Sequence, residues 1–319
     1  MLVLKETTLC CIDCVNYALA LKALKKTLHA CQFEKVYFFT DYIPQSHDSL
    51  PPEIEIIPIP KIKNTVEYSY FMLKTLHQFI ETDFALIIQW DGYILHPQSW
   101  SEEFKKYDYI GAKWWYEDGL NVGNGGFSWR SKKLLKALQD PHFVCYDPED
   151  ALICRIERPF LEQHYAIHFA PESIADQFAF ECTPPIGQPF GFHGRFNFHF
   201  FHESDDIFDV AQQTHLDNDL KGAAVLYKQI LSKNPNFIPA WKGLGTVAAE
   251  IGLLAEAAQY FYNAYQLDPA NPITLNELGL LYSQNKQYQQ AKACFEQALV
   301  LDPHYVAAQQ NYLAIQSLN

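Results

Sequence analysis

Positive charge is scarce in this chain. Its 24 Lys and Arg stand against 37 Asp and Glu over 319 residues, a formal net charge of -13. A field of that sign repels phosphate backbones, which argues against nucleic acid as a partner. Long apolar runs are also missing. The nearest, residues 84–90, is seven residues long and contains Gln89, so no membrane span is expected. Lys5 and Glu6 interrupt the first residues before an apolar signal segment could form, so no signal peptide is expected. With 14 Gly and 18 Pro the chain is neither collagen-like nor low-complexity, and eight Cys spread over its length are too few for a disulfide scaffold. They read as reduced thiols of a cytoplasmic protein. The pair Cys11 and Cys14 has no second pair at zinc-site spacing and reads as two buried thiols at a strand end. Apolar residues are abundant, at 49%, and so are aromatic ones, at 15%. The length predicts two domains, each with its own core.

The two halves follow different patterns. In the second, Pro235, Pro269 and Pro303 are 34 residues apart, and the same step links Tyr227, Phe261 and Phe295, and Ala223, Ala257 and Ala291. It also links Leu244-Gly245 to Leu278-Gly279. Small residues let paired helices approach, the aromatic fills the groove between them, and Pro ends the second helix. This pattern resembles the tetratricopeptide repeat. It predicts good repeats at 238–271 and 272–305, and a degenerate one at 204–237 with Ile207 in the Trp column and Ala211 in the Gly column. A closing helix over 305–318 completes an all-α solenoid from 204 to 319.

The first half, residues 1–203, alternates strands and helices. Strands are predicted at 7–12, 35–40, 54–59 and 84–89, with helices at 15–31 and 66–80. Residues 109–112 read as a further strand and 131–138 as a helix opened by Ser131. This order argues for an α/β domain with a largely parallel sheet, whose ligands would collect beyond the carboxyl ends of the strands.

The informative residues sit at those ends. Asp13, Asp41 and Asp91 follow the first, second and fourth strands. An Asp there caps the next helix or closes a turn as readily as it binds a ligand. Asp91, between the most apolar strand and Gly92, needs compensation for its charge, from a cation or a capped turn. Next come Gly123-Asn124-Gly125-Gly126, which permit close approach of backbone to a ligand, and Glu149-Asp150, placed to stabilise a helix N-terminus or to hold a general base. His193 lies between Phe192 and Gly194, in a stretch, 178–201, that holds eight of the 23 Phe. It is either a satisfied core residue or a metal ligand.

In order, Gln89-Trp90-Asp91-Gly92, Asp108-Tyr109-Ile110-Gly111-Ala112, Val122-Gly123-Asn124-Gly125-Gly126-Phe127-Ser128, Pro148-Glu149-Asp150 and Pro189-Phe190-Gly191-Phe192-His193-Gly194 resemble an uncharacterised bacterial and viral domain family similar to GT-A-fold glycosyltransferases. The resemblance spans about residues 5–200. It implies a GT-A-like (Rossmann-like) nucleotide-sugar-binding domain that uses a divalent metal, Mn²⁺ or Mg²⁺, and a nucleotide-sugar donor, a UDP-sugar first among them. It further implies that Asp91 and His193 hold the metal, with Gln89 where such enzymes usually carry a first Asp. Asp13 and Asp41 match positions that contact base and ribose. Asn124, Gly125 and Gly126 match the loop against which the donor sugar lies. Asp150, with Glu149 second, matches the base of an inverting enzyme.

The expected activity is therefore sugar transfer from a nucleotide sugar, and fusion to repeats makes a peptide or protein acceptor the first expectation, a surface glycan the second. From Ser204 on there are 6 Lys against 11 acids and no Arg, so the repeats are not expected to clamp an acidic tail. They are placed instead for a protein partner, self-association or buttressing. The rival expectation is an interaction protein whose first domain is a degenerate transferase, which Gln89 favours.

Overall fold

An eleven-residue strand, β1 (Leu2–Ile12), opens the fold, and every residue from Thr7 to Ile12 is buried, as in a parallel strand covered on both faces. The computed structural model describes residues 1–42 and 50–316. Helix α1 (Tyr17–Ala30) returns the chain to β2 (Cys31–Thr40), and β3 (Glu55–Pro58) follows. Helix α2 (Thr65–Tyr70) is capped by Asn64, which accepts the Glu67 N–H, and widens into a π-turn over Phe71–Thr75. β4 (Phe84–Ile88) is the core strand, with Ala85 to Ile88 wholly buried.

β5 (Tyr109–Ile110), β6 (Phe127–Ser131) and α3 (Lys132–Ala137) come next, with Ser131 accepting the Leu134 N–H as N-cap. Then follow α4 (Glu149–Ala151), α5 (Arg158–Tyr165), α6 (Glu172–Phe178), and the short pair β7 (Ala179–Phe180) and β8 (Gly191–Phe192). The main sheet has the order β3-β2-β1-β4-β6-β5. The pairs among β1 to β4 are parallel, whereas β6 runs antiparallel to both β4 and β5. The sheet is thus mixed but largely parallel, since β6 alone is reversed and the other five strands run the same way. β6 escapes a sequence reading because all five of its residues, Arg130 included, are buried and directly follow the Gly-rich turn.

The contacts divide the chain into two compact units, Met1–Asn197 and Phe198–Asn319, against an expected division at 203/204. The second unit begins at the short helix α7 (Phe198–Phe201). Helix pairs follow: α8 (Ser204–Leu216) with α9 (Leu220–Lys233), α10 (Ile238–Glu250) with α11 (Leu254–Leu267), and α12 (Pro272–Gln284) with α13 (Tyr288–Leu301). α14 (Val306–Gln316) closes the array. Three helix pairs and a last helix thus occupy the segment where three repeats and a closing helix are expected. Among the described residues no helix is long and apolar enough to cross a membrane.

Candidate functional site

The strand order turns at β1. The chain builds outward through β2 and β3, then crosses back to lay β4 on the other side of β1. Carboxyl ends that diverge at such a reversal leave a crevice, the usual ligand site of an open α/β sheet. A cavity of about 300 Å³ lies there. Its walls include Asp13 and Asn16 after β1, Gln89 and Trp90 after β4, and Asn64 and Tyr68 around the start of α2. Among the described residues Asn16 Oδ1 is buried with no hydrogen-bond partner, and Tyr68 Oη is buried beside the Gln89 side chain. Burial first, and the Glu149 charge second, push the Tyr68 phenol well above its ordinary range, so it stays neutral and able to donate. Asp13 Oδ1 accepts the N–H groups of Val15 and Asn16 and so closes the turn into α1. Asp41 is exposed at the end of β2.

Beside the cavity, Asp91 and His193 come together from the ends of β4 and β8. Asp91 is only 8% exposed. Its Oδ2 accepts the Arg195 N–H at 3.0 Å. His193 Nε2 lies 3.2 Å from Asp91 Oδ1 as an ion pair and makes its hydrogen bond to Gln89 Oε1, at 3.1 Å; among the described residues Asp91 Oδ1 has no hydrogen bond. Burial by itself would raise the Asp91 carboxyl, but the imidazole and the Arg195 N–H outweigh it and hold it below its usual value. On the other side of the ring, Nδ1 meets Glu181 Oε1 at 2.9 Å. Burial would lower the His193 pKa, yet the two flanking carboxylates, Asp91 and Glu181, raise it well above its ordinary value. Both flanking carboxylates thus favour the charged form of the His193 ring.

The Gly-rich turn packs on this cluster. Asn124 donates to Glu181 Oε2 and accepts the Gly126 N–H at 3.1 Å. A Cβ on Gly126 would stand 2.1 Å from His193 Nε2, so only glycine fits. Gly125 turns the other way and donates its N–H to Asp150 Oδ2 at 2.9 Å. The turn thus links His193 to the acid pair.

That pair separates into two jobs. Glu149 is buried, and its Oε1 accepts from Arg130 Nη2 at 2.9 Å. Its N–H donates to Ser69 Oγ at 3.2 Å, which in turn donates to Asp147. Among the described residues Asp150 accepts only backbone N–H groups, those of Gly125 and Ala151. Burial, then the nearby Glu149 charge, raise its pKa from 3.8 to about 6. A carboxylate poised there is a competent general base near neutral pH. Glu149, spent on Arg130, is a structural partner of Asp150.

The predicted residues Gln89, Asp91, Asn124, Gly125, Gly126, Glu149, Asp150 and His193 form one connected cluster, with Asp13 joined to it across the cavity. Sequence reasoning missed Glu181 and Arg130. The rule that strand-end acids matter applied to Glu181 as well, but β7 is only two residues long. Among the described residues no group of three or more His, Cys, Asp or Glu is placed to hold a metal ion. The available donors are Asp91, His193 and the amide of Gln89.

Residues 52–193 match the family model described as "Protein of unknown function (DUF5672)", and residues 272–305 match the tetratricopeptide repeat. The first match includes the whole cluster from Gln89 to His193 and leaves out Asp13 and Asp41. No curated protein matches the chain. Among solved structures, the chain is similar to the MamA protein, at 22% identity and TM-score 0.34, covering 36% of this chain and 62% of that one. It is also similar to the Arabidopsis OM64 TPR domain, at 17% identity and TM-score 0.35, covering 40% and 100%. A third is the first TPR of Spaghetti bound to an HSP90 peptide, at 14% identity and TM-score 0.35, covering 36% and 92%.

Proposed function

We propose that the chain is a glycosyltransferase that moves a sugar from a nucleotide-sugar donor, a UDP-sugar first among the candidates, to an acceptor. The transferase domain would be GT-A-like and span about residues 1–203, with repeats over 204–319. One observation carries the reading. The switch-point cavity, the Gln89–Asp91–His193 cluster, the Gly125-Gly126 turn and Asp150 form an unbroken series of contacts. That series offers in turn a nucleoside site, a diphosphate site, a backbone surface for the sugar and a base.

A divalent cation would draw on Asp91 Oδ1, which among the described residues has no hydrogen bond, on Gln89 Oε1, and on His193 Nε2 once that nitrogen has lost the proton that pairs it with Asp91. Asp91, His193 and Gln89 would hold Mn²⁺ or Mg²⁺, which when bound would neutralise charge on the departing diphosphate. Asp91 and His193 orient one another. Gly125 and Gly126 let the sugar lie against the backbone. Asp150 takes the proton of the acceptor hydroxyl as its oxygen bonds to the anomeric carbon. The bond from that carbon to the diphosphate oxygen breaks, and its electron pair leaves with the nucleoside diphosphate. Attack from the face opposite the diphosphate inverts the anomeric centre.

A second reading, an interaction protein working through its repeats, is favoured by the tetratricopeptide match, because such repeats suggest a protein partner. A thermal-shift screen of the full chain against nucleotide sugars, with and without Mn²⁺, decides between them. The transferase reading expects a Mn²⁺-dependent shift and slow donor hydrolysis, with Asp91→Asn losing both and Asp150→Asn losing only turnover. Absence of any shift or turnover leaves the interaction reading.

A further inference from the structure

Helix α4 is three residues long before it widens into the π-turn Leu152–Ile156, and Pro148 at its N-cap offers no side-chain bond. A single turn of that length does not hold its place by its own hydrogen bonds. The position of Asp150 therefore depends on what grips the segment from outside. Glu149 reaches Arg130 of β6, and the Gly125 N–H donates to the Asp150 carboxylate. A further grip comes from α2, through Asp147.

Thr65 and Ser69 lie one turn apart on α2, so their hydroxyls share a face. Both donate to the Asp147 carboxylate, Thr65 Oγ1 to Oδ2 at 2.6 Å and Ser69 Oγ to Oδ1 at 2.9 Å. Ser69 is buried and also accepts the Glu149 N–H, the first of α4, at 3.2 Å. One hydroxyl thus joins α2, Asp147 and the start of α4. Thr65 and Tyr68, on the same helix, line the switch-point cavity. α2 is accordingly both a wall of that cavity and a support of the segment that bears Asp150.

We infer that Asp147 is a positioning residue, which fixes the Asp150 carboxylate relative to the donor cavity. The inference rests on the transferase reading of that cavity and of Asp150. Its effect is geometric, since a reacting group misplaced by about 1 Å loses about a hundredfold in rate. The charges that bear on Asp150 are Glu149 of its own segment and Arg130 of β6. The thiols of Cys154 and Cys182 and the phenol of Tyr109, which also feel Asp150, have raised pKa values and stay uncharged near neutral pH.

The experiment compares the full chain with its Asp147→Ala and Asp147→Asn variants. Asn keeps the clasp, because its carbonyl accepts from Ser69 and its amide donates to the Thr65 hydroxyl, which can turn to accept. Hydrolysis of the UDP-sugar that shifts the wild type most gives kcat and KM. Carbon-13 NMR of labelled aspartate titrates the Asp150 carboxyl, assigned as the signal missing from Asp150→Asn. Asp147→Ala should lower kcat roughly tenfold to a hundredfold with KM unchanged. It should also move the Asp150 midpoint from about 6 toward 3.8, because a carboxyl released from its burial regains water. Asp147→Asn should restore both. An unchanged kcat or an unchanged midpoint in Asp147→Ala overturns the inference, as does an Asp147→Asn variant equally impaired. A wild type that neither binds nor hydrolyses any nucleotide sugar overturns the transferase reading instead, and the titration alone then decides whether Asp147 positions Asp150.

Discussion

Arg130 Nη2 and Glu149 Oε1 meet at 2.9 Å with both side chains shut away from water, 0% and 5% exposed. β6 supplies the cation and α4 the anion, so the ion pair ties the sheet to the helix that carries Asp150. Removing one partner strands a buried charge, which typically costs about 3–5 kcal/mol, whereas replacing both with apolar groups of like volume is close to neutral. Glu149→Ala should therefore destabilise the first unit by about that amount, and Arg130→Met with Glu149→Leu should recover most of it. Urea unfolding followed by Trp fluorescence reads this out, since five of the six Trp lie in the first unit. A Glu149→Ala midpoint equal to wild type would mean the pair contributes nothing.

Asp150 leads to a pH prediction whose sign follows from its raised pKa. Its protonated form is favoured in the folded state, from 3.8 up to about 6. The stability this contributes is complete below pH 3.8 and is lost as pH rises through about 6. At about 1.4 kcal/mol per pKa unit, the loss between pH 4 and 7 is at most about 3 kcal/mol. Asp150→Asn cannot titrate, so wild type should lose stability relative to it by about 1–3 kcal/mol across that range. Denaturant midpoints of both proteins at several pH values test this. Parallel curves would place the Asp150 pKa near its ordinary value.

Gly126 is tested by a single methyl group. Its added Cβ would stand 2.1 Å from His193 Nε2, and the ring cannot swing aside without breaking its bonds to Glu181 and Gln89. At Gly125 the nearest atoms to such a Cβ are 3.0 Å away. Gly126→Ala should thus cost about 1–3 kcal/mol of overpacking and remove the nucleotide-sugar thermal shift, while Gly125→Ala does less on both counts. Equal behaviour of the two variants would show that the His193 ring is not fixed.

Much of this architecture was legible from the residues. The parallel strands β1 to β4 could be found because each is a short apolar run bounded by turn residues, and the repeats because several columns share a period. Asp91 stood out as a carboxylate in a place that needs compensation. Arg130 did not, because nothing local marks an Arg in a strand as buried; its counterion, Glu149, is 19 residues away. Glu181 was hidden for a similar reason, since Asn124 and His193 reach it only through the fold. Asp13 and Asp41 could be read as ligands or as turn formers, and the structure gives Asp13 a turn to close.

The repeats supply a prediction independent of the catalytic reading. A Cβ on Gly245 would stand 2.4 Å from the Phe261 ring, and one on Gly279 would stand 2.5 Å from the Phe295 ring. These are the same two columns, one 34-residue step apart. In these two repeats the aromatic of the second helix presses on the bare backbone of the first. The degenerate first repeat has Ala211 in the glycine column and Tyr227 in the aromatic one, and a Cβ on Gly243 of the next repeat would stand 2.5 Å from the Tyr227 ring. Gly245→Ala and Gly279→Ala should each cost about 1–3 kcal/mol, read as a lower melting temperature of the helical signal. Phe261→Leu should relieve Gly245→Ala but not Gly279→Ala, because the coupling is confined to residues in contact. If Phe261→Leu rescued both variants equally, or neither, the glycine column would not be set by the ring it faces.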